Sequence, residues 1–181
     1  MPILSSAGWV MHELGLATAI GGSMFGKLAL EPALDVVPRP RDRDVASEAA
    51  WRRFSWLNLA GHVAFAVPWL IGRQMLTGAE VTRRARTLTK AKDYLVGASL
   101  ITGVASIIVG RILGAKAKRG AGPEEARAGK SSDNAQTLER VVGVIGTANL
   151  LSTIGVAATT ALLAMQGNES FRFAERSRRL P

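Results

Sequence analysis

The sequence predicts an all-α protein, an integral membrane antiparallel four-helix bundle, and three observations carry that prediction. Four apolar segments each reach about 20 residues, the length that crosses roughly 30 Å of hydrocarbon. The charged residues, 20% of the 181, gather in the stretches between those segments. Stripes of Gly, Ser and Thr run along the helices, and in lipid such residues supply the close packing and hydrogen bonds that hold helices together. The averaged composition, 48% apolar with 23 Lys and Arg against 14 Asp and Glu, conceals this division. It excludes a disordered chain, and the zero Cys count excludes disulfides, thiolate metal sites and cysteine nucleophiles.

The first apolar segment, Val10 to Leu30, sits in a helix predicted over 7–30. It lacks the basic leading region and small-x-small cleavage site of a signal peptide, so it reads as a mature helix. At the helical pitch, Gly8, His12, Gly15, Ala19, Gly22 and Gly26 fall within an arc of about 80°, and Glu13 points about 140° away from its centre. A Pro38-Arg39-Pro40 turn then leads to a second helix predicted over 46–76, with its apolar core from Phe54 to Gly72. Ser55, Asn58, His62, Phe65 and Trp69 share one face of it, the most polar of the membrane surfaces. Pro68 cannot donate to the carbonyl of Ala64, which predicts a kink.

A short basic connection, Thr77 to Lys92, precedes a third helix predicted over 91–114. There Ser99, Gly103, Ser106, Gly110 and Gly114 align on one face. The Gly-, Ala- and Lys-rich stretch 115–132 reads as a flexible loop. Asp133 and Gln136 have capping-box spacing and open a fourth helix predicted over 134–166, with Gly167-Asn168 as its stop. That helix has two small-residue faces, one with Gly146, Asn149, Thr153, Ala157 and Thr160, the other with Ala148, Ser152, Gly155 and Thr159, so it should touch two neighbours. The tail 168–181, with Phe171, Phe173, Arg172, Arg176, Arg178 and Arg179, suits the membrane interface. Gly15, Gly22, Gly26, Gly103, Gly110, Gly114, Gly146 and Gly155 are read as helix-packing positions.

The net charge of +9 lies in the connections, where basic residues meet anionic lipid headgroups, and no nucleic-acid-binding fold accompanies it. No catalytic triad, metal motif, phosphate loop or dinucleotide fingerprint is present in the sequence. The expectation is a non-enzymatic multi-pass protein of a bacterial-type cytoplasmic (inner) membrane, an accessory or assembly subunit whose partners are the bilayer and other membrane subunits or itself, not nucleic acid. The alternative is a small-solute or proton-coupled transporter, with Glu13, Asn58, His62 and Asn149 as its polar face. A third reading takes His12 and His62 as ligands of a haem b; helical rise sets their depths roughly 10–15 Å apart, which opposes a shared iron.

The stretch Met11-His12-Glu13-Leu14-Gly15-Leu16, through Gly21-Gly22-Ser23-Met24-Phe25 to Glu31-Pro32-Ala33-Leu34, and then Arg52-Arg53-Phe54 with Gly61-His62, resembles the first hairpin of copper-resistance-D-like and related four-helix membrane families. The resemblance covers about one third of the chain and implies the four-helix bundle. No Met-rich or Cys copper site accompanies it.

Overall fold

The computed structural model describes residues 2–76, 83–119 and 131–177, and apart from a turn at 35–39 every described residue is helical. Helix α1 spans Pro2–Phe25 and continues through a π-helical turn at Gly26–Leu30 into the short α2, Glu31–Leu34. Helix α3 spans Pro40–Leu76, α4 spans Arg83–Arg119 and α5 spans Ser131–Ser177.

Helices α3, α4 and α5 are longer than the apolar pattern predicts. Helix α3 opens at Pro40, six positions ahead of the expected 46, because the fixed φ of proline suits the first turn of a helix. Helix α4 covers Arg83–Lys90, read as part of a connection, and runs on past Gly114 to Arg119. Ala115, Lys116, Ala117 and Lys118 are strong helix formers, so a composition read as flexible favours helix instead. The rest of that expected loop, 120–130, lies outside the described residues. Helix α5 passes through Gly167-Asn168 without a positive φ and carries the expected interfacial tail as helix up to Ser177. Residues 178–181 lie outside the described residues.

Three of the helices are long and apolar enough to cross a membrane, over Val45–Arg73, Arg83–Ile112 and Arg140–Gln166. The sequence predicted four such segments; α1 is not among the three. His12, Glu13 and the Ser and Gly residues along it dilute its apolar character.

Helix α1 packs along α3 and α4 along α5, with further contact between α1 and α5 and between α3 and α4. The α1–α3 seam is backbone against backbone. A Cβ added at Gly15 would lie 2.6 Å from both the Gly61 carbonyl oxygen and the Phe65 amide nitrogen. Farther along α1, Gly22 lies on the Phe54 ring and Gly26 on the Trp51 ring, so partners in α3 step backwards as α1 advances. Gly155 of α5 lies against Leu95 of α4, whereas Gly110 and Gly146 face open space. Gly114 lies within α4, and its surroundings fall outside the described side chains. In the π-helical turn, Lys27 Nζ donates to Thr147 Oγ1 at 2.6 Å and ties the end of α1 to α5. Arg43 closes the turn before α3 by donating to the carbonyls of Asp35 and Val37 at 3.3 and 3.2 Å.

Polarity is inverted relative to a protein folded around an oily core. Among the described residues six buried side chains are apolar and ten are polar or charged. Val63, Leu70, Ile71, Ile101, Ile108, Leu151 and Leu162 are exposed.

The Gly15 seam generates a direct test. In detergent micelles, Gly15→Ala should lower stability by about 1–3 kcal/mol, because only a backbone shift can make room for the methyl group. Gly21→Ala, with nothing within 4 Å of the added carbon, should change it little. Far-UV circular dichroism during unfolding in mixed micelles measures both.

Candidate functional site

The helix pairs α1/α4 and α3/α5 are not in broad contact, yet each is joined by one buried histidine. His12 of α1 is 3% exposed, and its Nδ1 lies 2.6 Å from the carbonyl oxygen of Phe65. A carbonyl can only accept, so Nδ1 carries the proton and the lone pair of Nε2 is free. That lone pair accepts from Lys92 Nζ of α4 at 3.1 Å. Thr160 Oγ1 of α5 stands 3.3 Å from the same nitrogen and gives its own proton to the Val156 carbonyl at 2.7 Å. One imidazole therefore gathers all four long helices.

Lys92 is 1% exposed. A cation inside an apolar helical assembly is costly unless it is compensated, and three features compensate this one. The ammonium sits 3.9 Å above the centroid of the Trp69 ring, a cation–π contact. The indole N–H of the same Trp69 donates to Asp93 Oδ1 at 3.1 Å, and Arg73 holds the other oxygen of Asp93 at 2.8 Å. Asp93 and Glu13 both lie close enough for their charge to act on Lys92.

His62 of α3 makes the second crossing. Its Nδ1 donates to the carbonyl of Asn58 at 2.7 Å, one turn earlier in the same helix. Nε2 then accepts from Asn149 Nδ2 of α5 at 3.1 Å. The Asn149 amide also meets the Ser99 carbonyl at 2.8 Å and Thr102 Oγ1 at 3.1 Å on α4. Beside it the hydroxyls of Ser99 and Thr153 are 2.9 Å apart. Gly103 makes room for this crossing, since a Cβ there would stand 3.2 Å from His62 Nε2 and 3.3 Å from Asn149 Nδ2.

The two crossings meet at Phe65, whose ring centroid is 6.2 Å from that of His12 and 5.2 Å from that of His62. All four imidazole nitrogens have protein partners, so the pair is not arranged as two open ligands across a haem iron. Among the described residues no group of three His, Asp or Glu side chains is placed to hold a metal ion.

Of the residues singled out in the sequence, His62 and Asn149 come together. Asn58 is buried beside them, and its Oδ1 has no hydrogen-bond partner among the described residues. Glu13 is exposed and does not join the His62 cluster. The residue missed is Lys92, read as the last position of a basic connection. Its signal was available: Ser99 and Gly103 lie seven and eleven positions on, within about 20° of the same helix face. Comparison of the chain with family models, curated proteins and solved structures finds no match.

A double-mutant cycle measures the second crossing. His62→Phe and Asn149→Leu should each destabilise the protein, with a coupling between them of about 0.6–1.7 kcal/mol. Equilibrium unfolding in mixed micelles of the two single variants and the double variant supplies the number.

Proposed function

We propose that this chain is a non-enzymatic integral membrane protein, an antiparallel four-helix bundle acting as an accessory or assembly subunit in a cytoplasmic-type membrane. The observation that carries the reading is the inversion of polarity. Ten polar side chains are buried among the described residues, while Val63, Leu70, Ile101, Ile108 and Leu151 are exposed. In water that arrangement would waste the hydrophobic effect; in lipid it satisfies polar groups inside and leaves apolar ones outside. The backward stepping of the α1–α3 contacts supports the antiparallel order, as does the resemblance of the first hairpin to copper-resistance-D-like families.

The accessory role rests on how the interior is used. The imidazoles, the Lys92 ammonium and the Asn149 amide are engaged with one another or with backbone. A surface groove of about 650 Å³ between α1 and α3 is lined by Ala7, Val10, Met11, Leu14, Ala60 and Ala64, among others. It lies apart from the polar interior. What remains for contact is apolar helix surface and basic ends such as Arg83, Arg84, Arg86 and Lys90, all exposed and suited to other membrane subunits and anionic headgroups.

A second reading is favoured by one atom. Asn58 Oδ1, buried beside His62 without a partner among the described residues, is an acceptor that a transported solute or proton carrier could use.

In cell fractionation the protein should stay with membranes through an alkaline carbonate wash and leave them only in detergent; release by the wash overturns the membrane reading. Crosslinking before mild extraction should yield an adduct larger than the monomer, and a monodisperse monomer overturns the accessory role. For the second reading, flux into proteoliposomes should fall with His62→Ala, and unchanged flux overturns it.

A further inference from the structure

We infer that the His12–Lys92 contact is a proton-binding site whose occupation releases α1 from α4. The inference rests on hydrogen-bond stoichiometry and does not depend on the accessory or transport readings. Nδ1 of His12 is committed as a donor to the Phe65 carbonyl at 2.6 Å. Only one lone pair then remains on the ring, and Lys92 Nζ points a hydrogen at it from 3.1 Å. Two basic nitrogens at that distance hold one hydrogen between them. Hydronium gives a proton to Nε2: its O–H bond breaks and leaves water, the new N–H bond consumes the lone pair, and the Nζ–H···Nε2 hydrogen bond is lost. No other reactant is required. The product is an imidazolium facing an ammonium, two like charges in a buried place.

The surroundings make this contact the part that gives way. Thr160 Oγ1 cannot replace Lys92 as the partner of neutral Nε2 while its proton is held by the Val156 carbonyl at 2.7 Å. It can accept from a protonated Nε2, which it approaches to 3.3 Å. Protonation therefore moves the His12 bond from α4 to α5. The charged and titratable groups around the site are Glu13 on α1, Arg73 on α3, and Lys92 and Asp93 on α4; Thr160 is the polar contact from α5. Asp93 and Arg73 are partly exposed, with side-chain exposures of 21% and 47%, and mark the end from which a proton arrives. The His12–Lys92 hydrogen bond links α1 to α4, two helices not otherwise in broad contact.

The natural chain has no Cys, so a single introduced pair reports one distance without background. Spin labels at Val10→Cys on α1 and Thr87→Cys on α4, both exposed positions, should separate by about 1–2 Å on acidification of the full chain in nanodiscs. His12→Gln, whose amide oxygen accepts from Lys92 and does not titrate, should hold the short distance at every pH. Lys92→Met should give a distance that does not change with pH, and His62→Gln should respond as the parent does. Circular dichroism verifies the helical content of each variant, and His12→Gln, which keeps the ammonium satisfied, serves where Lys92→Met does not fold. A parent distance that ignores pH overturns the inference. So does a pH response that survives in His12→Gln.

Discussion

Everything in this fold depends on one constraint: a polar group taken inside an apolar assembly has to find its partner there. Of the ten buried polar side chains, Ser152, Thr153, Thr159 and Thr160 donate to carbonyls of their own helix, whereas His12 with Lys92 and His62 with Asn149 form two bonds between helices not otherwise in broad contact. Neighbouring helices are held by close packing, α1 on α3 through Gly15 and Gly61 and α4 on α5 through Leu95 and Gly155. Packing of this kind is tolerant of sliding and rotation. Hydrogen bonds with single donors and acceptors are not, so His12 and His62 set the register in which the four long helices come together.

Small residues and polar residues accordingly serve one design. Gly103 carries no side chain where His62 and Asn149 meet, and any larger residue there would press on the bond itself. Phe65 fills the space between the two crossings and touches both imidazoles. Its backbone carbonyl receives His12, three positions before Pro68, in the stretch of α3 where the proline removes a backbone donor. The helix stays continuous through Pro68.

The helical class and the polar stripes were legible in the sequence because lipid-length apolar runs and helical periodicity are local properties. His62 stood out on the most polar of the apolar helices' faces, with Ser55 and Asn58, and Asn149 as a strongly polar residue on a face otherwise made of small side chains. Helix ends were less legible: the apolar run marks the part that is greasy, whereas Arg83–Lys90 and Ala115–Arg119 are helical by propensity without being apolar. Lys92 was hidden for the same reason, since a lysine at the edge of a basic stretch reads as solvated until the stripe through Ser99 and Gly103 is carried backwards. The pairing of His12 with Lys92 joins residues 80 positions apart, and no local pattern encodes it.

Helix α5 has 47 residues, about 70 Å of unbroken rod, and its apolar span occupies only Arg140–Gln166. It is also the helix that meets both histidines: Thr160 Oγ1 stands 3.3 Å from His12 Nε2, and Asn149 donates to His62 Nε2. A rod gripped near its middle is a lever. From Thr153 to Ser177 runs about 36 Å, so a tilt of about 5° at the grip carries the far end roughly 3 Å. Ångström-scale rearrangements among buried hydrogen bonds are thereby enlarged at the end of the rod, beyond the apolar span.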